Sequence, residues 1–220
     1  MNWERARIDE AVADIFGFNA VQLGLPQIDL LQANRISLRQ RANEFGAVDL
    51  LCDFTALPFS AASIDLVVLP HVLEFHRDPH QILREIERIL IPEGQVIILG
   101  FNPLSLWGLK NRFNRQGEFP WNGSYISLPR LKDWLKLLGF ELDRNQFGCF
   151  SPPCEHEKWL RRWGFMESAG ERWWGVPGAV YMVRAVKRVH GMRLIAPQWK
   201  TGKLGAKALR PMAQKEGNEH

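Results

Sequence analysis

The stretch LPFSAASIDLVVLPHVLEFHRDPHQILREIERILIPEGQVIILGFNP, Leu57 to Pro103, limits this chain to few folds. An apolar run from Ile64 to Leu69 leads into a loop carrying His71 and Glu74. An amphipathic helix follows, with Ile82, Leu83, Ile86, Ile89 and Leu90 on one stripe. A turn at Pro92-Glu93-Gly94 then opens a second apolar run, Val96 to Phe101. Strand, helix, strand with short connections is a βαβ unit, which requires parallel pairing and a right-handed crossover. Asp78 is placed to cap the helix, and Pro79 takes its first position, where a missing N–H costs nothing. Both apolar runs are continuous rather than alternating, the pattern of strands buried on both faces.

The flanking segments extend this unit into a larger α/β domain. Trp3 to Phe16 has Ile8, Ala11, Val12, Ile15 and Phe16 at helical spacing, and Gly17 ends it. Ala20–Leu23 predicts the first strand, Arg35–Leu38 the second and Ala47–Cys52 the third. After the central unit, 104–113 predicts a short apolar helix, continued by a loop over 114–124. Ser127 is placed to cap a helix ending at Gly139. Phe140–Cys149 and Ala179–Lys187 predict a closing hairpin, with an insertion helix over Glu155–Trp174 between them. Residues 1–195 therefore predict a single domain. Beyond them, 196–220 carry Pro, Gly, Lys and Ala without periodicity and predict a disordered basic tail.

At 220 residues and 46% hydrophobic content, the chain can bury one sizeable core. MNWERARIDEAVADIF is charged and does not read as a signal peptide, and no apolar run approaches the roughly 20 residues that cross a bilayer. Three cysteines make no disulfide framework. A cytoplasmic protein without a membrane is the expectation; oligomeric state is not legible. Between Arg172 and Lys215 stand ten Lys or Arg and no acid. That basic segment alone gives only salt-sensitive attraction to nucleic acid, and no RNA-recognition module accompanies it, so nucleic acid is the least supported partner.

From Asp53 to Phe101 the motifs LPFSAASIDLVV, LPHVLEF and DPHQILREIERILIPEGQVIILG resemble the methyltransferase type 11 group of class I S-adenosylmethionine-dependent methyltransferases. The resemblance implies a Rossmann-like, doubly wound, mostly parallel seven-stranded sheet with one antiparallel edge strand. It also implies S-adenosyl-L-methionine as cofactor and a small molecule as acceptor. Here the first crossover helix is short or missing, because Asp29–Asn34 leaves little room for it. Carried onto this sequence, the cofactor site comprises Gln22, Gly24, Glu44, Asp53, Phe54, Leu69, Pro70 and His71.

Each position has a structural alternative. Gly24 is the one glycine retained in QLGLPQID where the family's turn holds several, so the motif is degenerate. Glu44 is either the ribose ligand or a solvated loop carboxylate. Asp53 either accepts from the adenine amino group or caps the turn into Thr55-Ala56. His71 is a pocket residue or a catalytic base, since a near-neutral imidazole can take an acceptor proton. Glu74 is expected at the pocket rim or paired with Arg77. Neither the three histidines His71, His76 and His80 nor Cys149, Cys154 and His156 have metal-ligand spacing, and no metal is expected. Three readings stand in order: an active small-molecule methyltransferase, a methyltransferase-like binding or regulatory module that has lost catalysis, and last a nucleic-acid methyltransferase.

Overall fold

The computed structural model describes residues 2–113, 123–149 and 178–189. The expected loop over 114–122, the insertion helix, the Cys154 and His156 positions and the tail lie outside the described residues. Helix α1 (Asn2–Ala13) precedes strands β1 (Asn19–Leu23), β2 (Leu38–Asn43), β3 (Leu50–Leu51) and β4 (Ile64–Pro70). Helix α2 (Pro79–Ile89) leads into β5 (Leu90–Phe101), followed by α3 (Leu106–Phe113), α4 (Leu128–Leu137), β6 (Phe140–Gly148) and β7 (Val180–Lys187). The seven strands form one sheet in the order β3-β2-β1-β4-β5-β7-β6. β7 runs antiparallel to both β5 and β6, and the other neighbours pair in parallel. This is the class I methyltransferase fold, with the antiparallel strand one place in from the edge.

The central βαβ unit is built as its sequence requires. Alternate residues of β4 enter two cores: Val67 and Leu69 face one, Leu66 and Val68 the other. All four are fully buried, which is why the run shows no polar alternation. Asp78 accepts from the Gln81 amide at 3.0 Å and Pro79 opens α2. Ile82, Leu83, Ile86 and Ile89 bury against the sheet, a gross gain of roughly 6–12 kcal/mol for four aliphatic side chains. The Pro92-Glu93-Gly94 turn is absorbed into β5 as an irregularity, with pairing jumping from Ile64↔Leu90 to Leu66↔Gln95. Glu93 takes the left-handed conformation there, at φ 65°.

Several boundaries differ from the sequence expectations. β2 lies at 38–43 rather than 35–38, and β3 has shrunk to two residues. With so short a neighbour, β2 is almost an edge strand. Its first residues, Leu38 and Arg39, are exposed, and no apolar run marks it. α1 stops at Ala13, leaving Phe16 71% exposed instead of in the core. Ser127 makes no side-chain cap to α4, whose first turn starts at Leu128 and Pro129.

The first crossover, residues 24–37, contains no helix. Leu30, Leu31 and Ile36 pack on α1 in its place. Asn34 ties this loop down by donating to the carbonyls of Val12 and Ile15 and accepting from the Ile36 amide. No helix among the described residues is long and apolar enough to cross a membrane.

Candidate functional site

Strand order reverses between β1 and β4, so the loops leaving their carboxyl ends diverge and open a crevice, the place where α/β sheets bind ligands. A cavity of about 270 Å³ lies there. Gly24 and Leu25 line it from the loop after β1; Asn43, Glu44 and Phe45 from the end of β2. Phe54 comes from beyond β3, and Pro70, His71, Val72, Phe75 and His76 from the end of β4 and its loop.

The β1 loop is shaped by one buried amide. Gln22 is fully buried; its Nε2 donates to the carbonyls of Gly24, Leu25 and Ile28, and its Oε1 accepts from the Leu30 amide at 2.9 Å. Gln22 therefore organises the loop rather than facing the cavity. Gly24 sits at φ +87°, and a Cβ added there would stand 2.6 Å from the Val72 Cγ2. Glycine is needed for conformation and for space. Leu25 follows at φ 44°, a conformation that costs a side-chain-bearing residue about 1–2 kcal/mol. The Gly24 amide is spent on the Ala42 carbonyl, and those of Ile28 and Leu31 on Leu25 and Asp29.

At the far wall, the Glu44 Oε1 stands 3.4 Å from the His76 Nε2. Asp53, Glu44 and His76 each bring one ligand-type atom within 4.8 Å of the others. His76 Nδ1 accepts from the Asp78 amide at 3.2 Å, so a neutral ring carries its proton on Nε2, facing Glu44. That is the geometry of a hydrogen bond to a carboxylate, and a metal at Nε2 would have to break it. Asp53 caps its turn: Oδ1 accepts from the Thr55 amide at 2.7 Å and the Thr55 hydroxyl at 2.6 Å, and these bonds hold its carboxyl below the usual range.

At the near wall, His71 lies buried at φ 53°, its ring stacked on Phe101 with centroids 4.1 Å apart. Its Nε2 is 3.5 Å from Glu4 Oε1 and its Nδ1 3.6 Å from Glu74 Oε1. Burial works against the imidazolium charge, but the two carboxylates outweigh it and raise the pKa to about 9. For Glu4 too, burial opposes the charge and His71 overcomes it, lowering its pKa. Glu74 is neither at a rim nor paired with Arg77. It is buried, and its Oε1 accepts from the Phe101 amide at 2.7 Å. Beyond Phe101 stacks Tyr125, whose hydroxyl pKa burial, with Glu74, pushes up to about 12.

Of the residues expected from the sequence, Gly24, Glu44, Phe54, Pro70 and His71 converge on one cavity, with Asp53 beside Glu44. Gln22 points into its own loop, and Leu69 packs in the core on the α2 side. Glu4 escaped sequence reasoning, as did the burial of Glu74. Glu4 sits on an N-terminal helix 67 residues from His71, and no local pattern announces the pairing. A second cavity, of about 130 Å³, lies between α1 and the β1 loop and shares Leu25 and Pro70 with the first.

The strand order β3-β2-β1-β4-β5-β7-β6 with β7 antiparallel is that of the class I methyltransferase fold, and the comparisons agree. Residues 20–98 match the family model described as a methyltransferase domain. Among curated proteins the chain is similar to YafS of Escherichia coli (strain K12), an uncharacterized protein, at 34% identity over 131 residues, 58% of this chain and 55% of that one. It is also similar to a malonyl-(acyl-carrier protein) O-methyltransferase of Halorhodospira halophila, at 32% over 92 residues, 41% of this chain and 31% of that one. The chain thus spans about half or less of the length of these relatives. A solved S-adenosylmethionine-dependent methyltransferase from Thermotoga maritima superposes at TM-score 0.62 with 19% identity, covering 84% of this chain and 89% of that one. The cyclase SpnF superposes at 0.56 with 16% identity, over 86% and 81%. These likenesses speak to fold alone, and the fold does not fix the reaction.

Proposed function

We propose that this chain is an S-adenosylmethionine-dependent methyltransferase acting on a small-molecule acceptor, with the larger cavity as cofactor site. The observation that carries this reading is the convergence of Gly24, Glu44, Phe54, Pro70 and His71 at the sheet's switch point. The donor set suits the cofactor. Glu44, leaving β2, offers a carboxylate to ribose hydroxyls, and the free oxygen of Asp53 can accept from the adenine amino group. Phe45, Phe54 and Phe75 offer apolar surface to the purine.

The cofactor supplies an electrophilic methyl group; the protein binds, orients and excludes water. Proximity alone can supply about 7–11 kcal/mol of the barrier. His71 is already protonated at neutral pH, so it presents a fixed positive charge and does not serve as a general base. Calorimetry with S-adenosylhomocysteine tests the reading. Binding in the micromolar range, weakened about tenfold or more in E44Q, is expected from the loss of a charged hydrogen bond. No heat at millimolar ligand sinks it.

A second reading has one observation in its favour. The amides that a glycine-rich turn would offer a ligand are here partly consumed by Ala42, Leu25 and the Gln22 and Asp29 side chains. That favours a module which binds without turning over. Cofactor binding with no product from any acceptor would support it.

A further inference from the structure

The second cavity is bounded by apolar Leu25, Ile28, Leu30 and Leu99, with the Glu4 and Arg5 side chains of α1 as its charged lining. At about 130 Å³ it approaches the roughly 150 Å³ that accommodates a benzene, so it holds a group of about six heavy atoms. It meets the larger cavity at Leu25 and Pro70, as an acceptor site must meet a cofactor site. Leu25 is held at that junction in a left-handed conformation by the Gln22 bond to its carbonyl.

The charges bear on which acceptor fits. Glu4 is committed to His71, which stands between it and Glu74. Arg5 donates to Gln32 Oε1 at 2.6 Å and lies 4.0 Å from Asp9, which leaves most of its five donors free. We propose that this cavity is the acceptor subsite and that it takes a small aliphatic carboxylate, recognised by Arg5 and methylated without proton transfer; this rests on the cofactor reading above.

A guanidinium in an aliphatic cavity is the natural complement of a carboxylate. In addition, among the described residues no uncommitted base lines this cavity. His71 already carries a proton at neutral pH, the Glu4 carboxylate is held by the His71 ring, and Tyr125 lies beyond Phe101. An alcohol or ammonium acceptor must shed a proton; a carboxylate need not. Its oxygen lone pair forms the new O–CH3 bond while the S–CH3 bond breaks and sulfur keeps that electron pair. The carboxylate and sulfonium charges cancel, and the apolar lining of Leu25, Ile28, Leu30 and Leu99 favours a step that removes charge.

The test uses the full chain with methyl-tritiated S-adenosylmethionine and, separately, propionate, hexanoate, octanoate, hexylamine and 1-hexanol. Methyl esters release volatile tritiated methanol on mild base treatment, whereas amines and ethers do not. Base-labile product from a carboxylate alone is expected, with a rate flat between pH 6 and 8. R5Q should raise the KM for that carboxylate about tenfold or more, with S-adenosylhomocysteine affinity within twofold of the parent, and R5K should restore part of the loss. Methylation of hexylamine or hexanol in preference overturns the inference. So does intact cofactor binding with no carboxylate turned over, an outcome that leaves the cofactor reading standing. Failure to bind S-adenosylhomocysteine overturns both.

Discussion

At the scale of single residues, His71 has the most exposed consequences. Its folded pKa, about 9, lies above the 6.5 of a free imidazole. The stability it contributes is therefore fully present below about pH 6.5 and lost as pH rises through 9. The shift corresponds to about 3 kcal/mol, or roughly 6–12 °C in Tm for a chain of this size. Melting curves should show that decline between pH 6.5 and 9.5, and H71N should flatten it, since asparagine tolerates the positive φ. A parallel decline in H71N would show that the charge cluster is not responsible. Gly24 makes a second case. G24A meets both a positive φ and the Val72 methyl, and should cost more than 1 kcal/mol in denaturant unfolding as well as cofactor affinity. Unchanged values would mean the loop adapts freely.

Gly24 was legible in the sequence because glycine before a turn carries its own signal. Glu4 and Glu74 were not. Their partners lie 67 and 27 residues away, and a carboxylate bound for burial looks like any surface acid until the fold closes around it. Gln22 marks the same limit. Nothing in QLGLPQID says that one side-chain amide will take over the bonds of a missing helix turn.

At the scale of elements, the chain divides into a well-specified half and an improvised one. β4, α2 and β5 carry local signals that agree: continuous apolar runs, an Asp cap, a proline at the helix start. Truncating the stripe should be costly there. I86A should lose about 2–5 kcal/mol, whereas D78A, which removes only the cap, should lose about 1 kcal/mol. Equal losses, measured by urea unfolding, would contradict the assignment of the core to that stripe. The β1–β2 crossover is held differently, by Gln22 and Asn34 side chains rather than by a helix's own backbone. β2 was misplaced in the sequence, and β3 drawn too long, for a related reason. A polar strand beside a two-residue neighbour has no apolar pattern to betray it.

For the molecule as a whole, the strand order dictates where a ligand can sit. The reversal between β1 and β4 opens one crevice, and the loops from four strands meet there whatever their individual sequences. α1 then closes the other side, with Glu4 joined to His71 and Arg5 lining the smaller cavity. The central claim is that this crevice holds S-adenosylmethionine although its glycine turn is reduced to Gly24. A crystal structure of the chain with S-adenosylhomocysteine tests that most directly. The account predicts the ribose hydroxyls on the Glu44 carboxylate, the adenine between Asp53 and the phenylalanines, and the sulfur facing Pro70 and Leu25. A ligand bound elsewhere, or a crevice that stays empty at millimolar concentration, would contradict it.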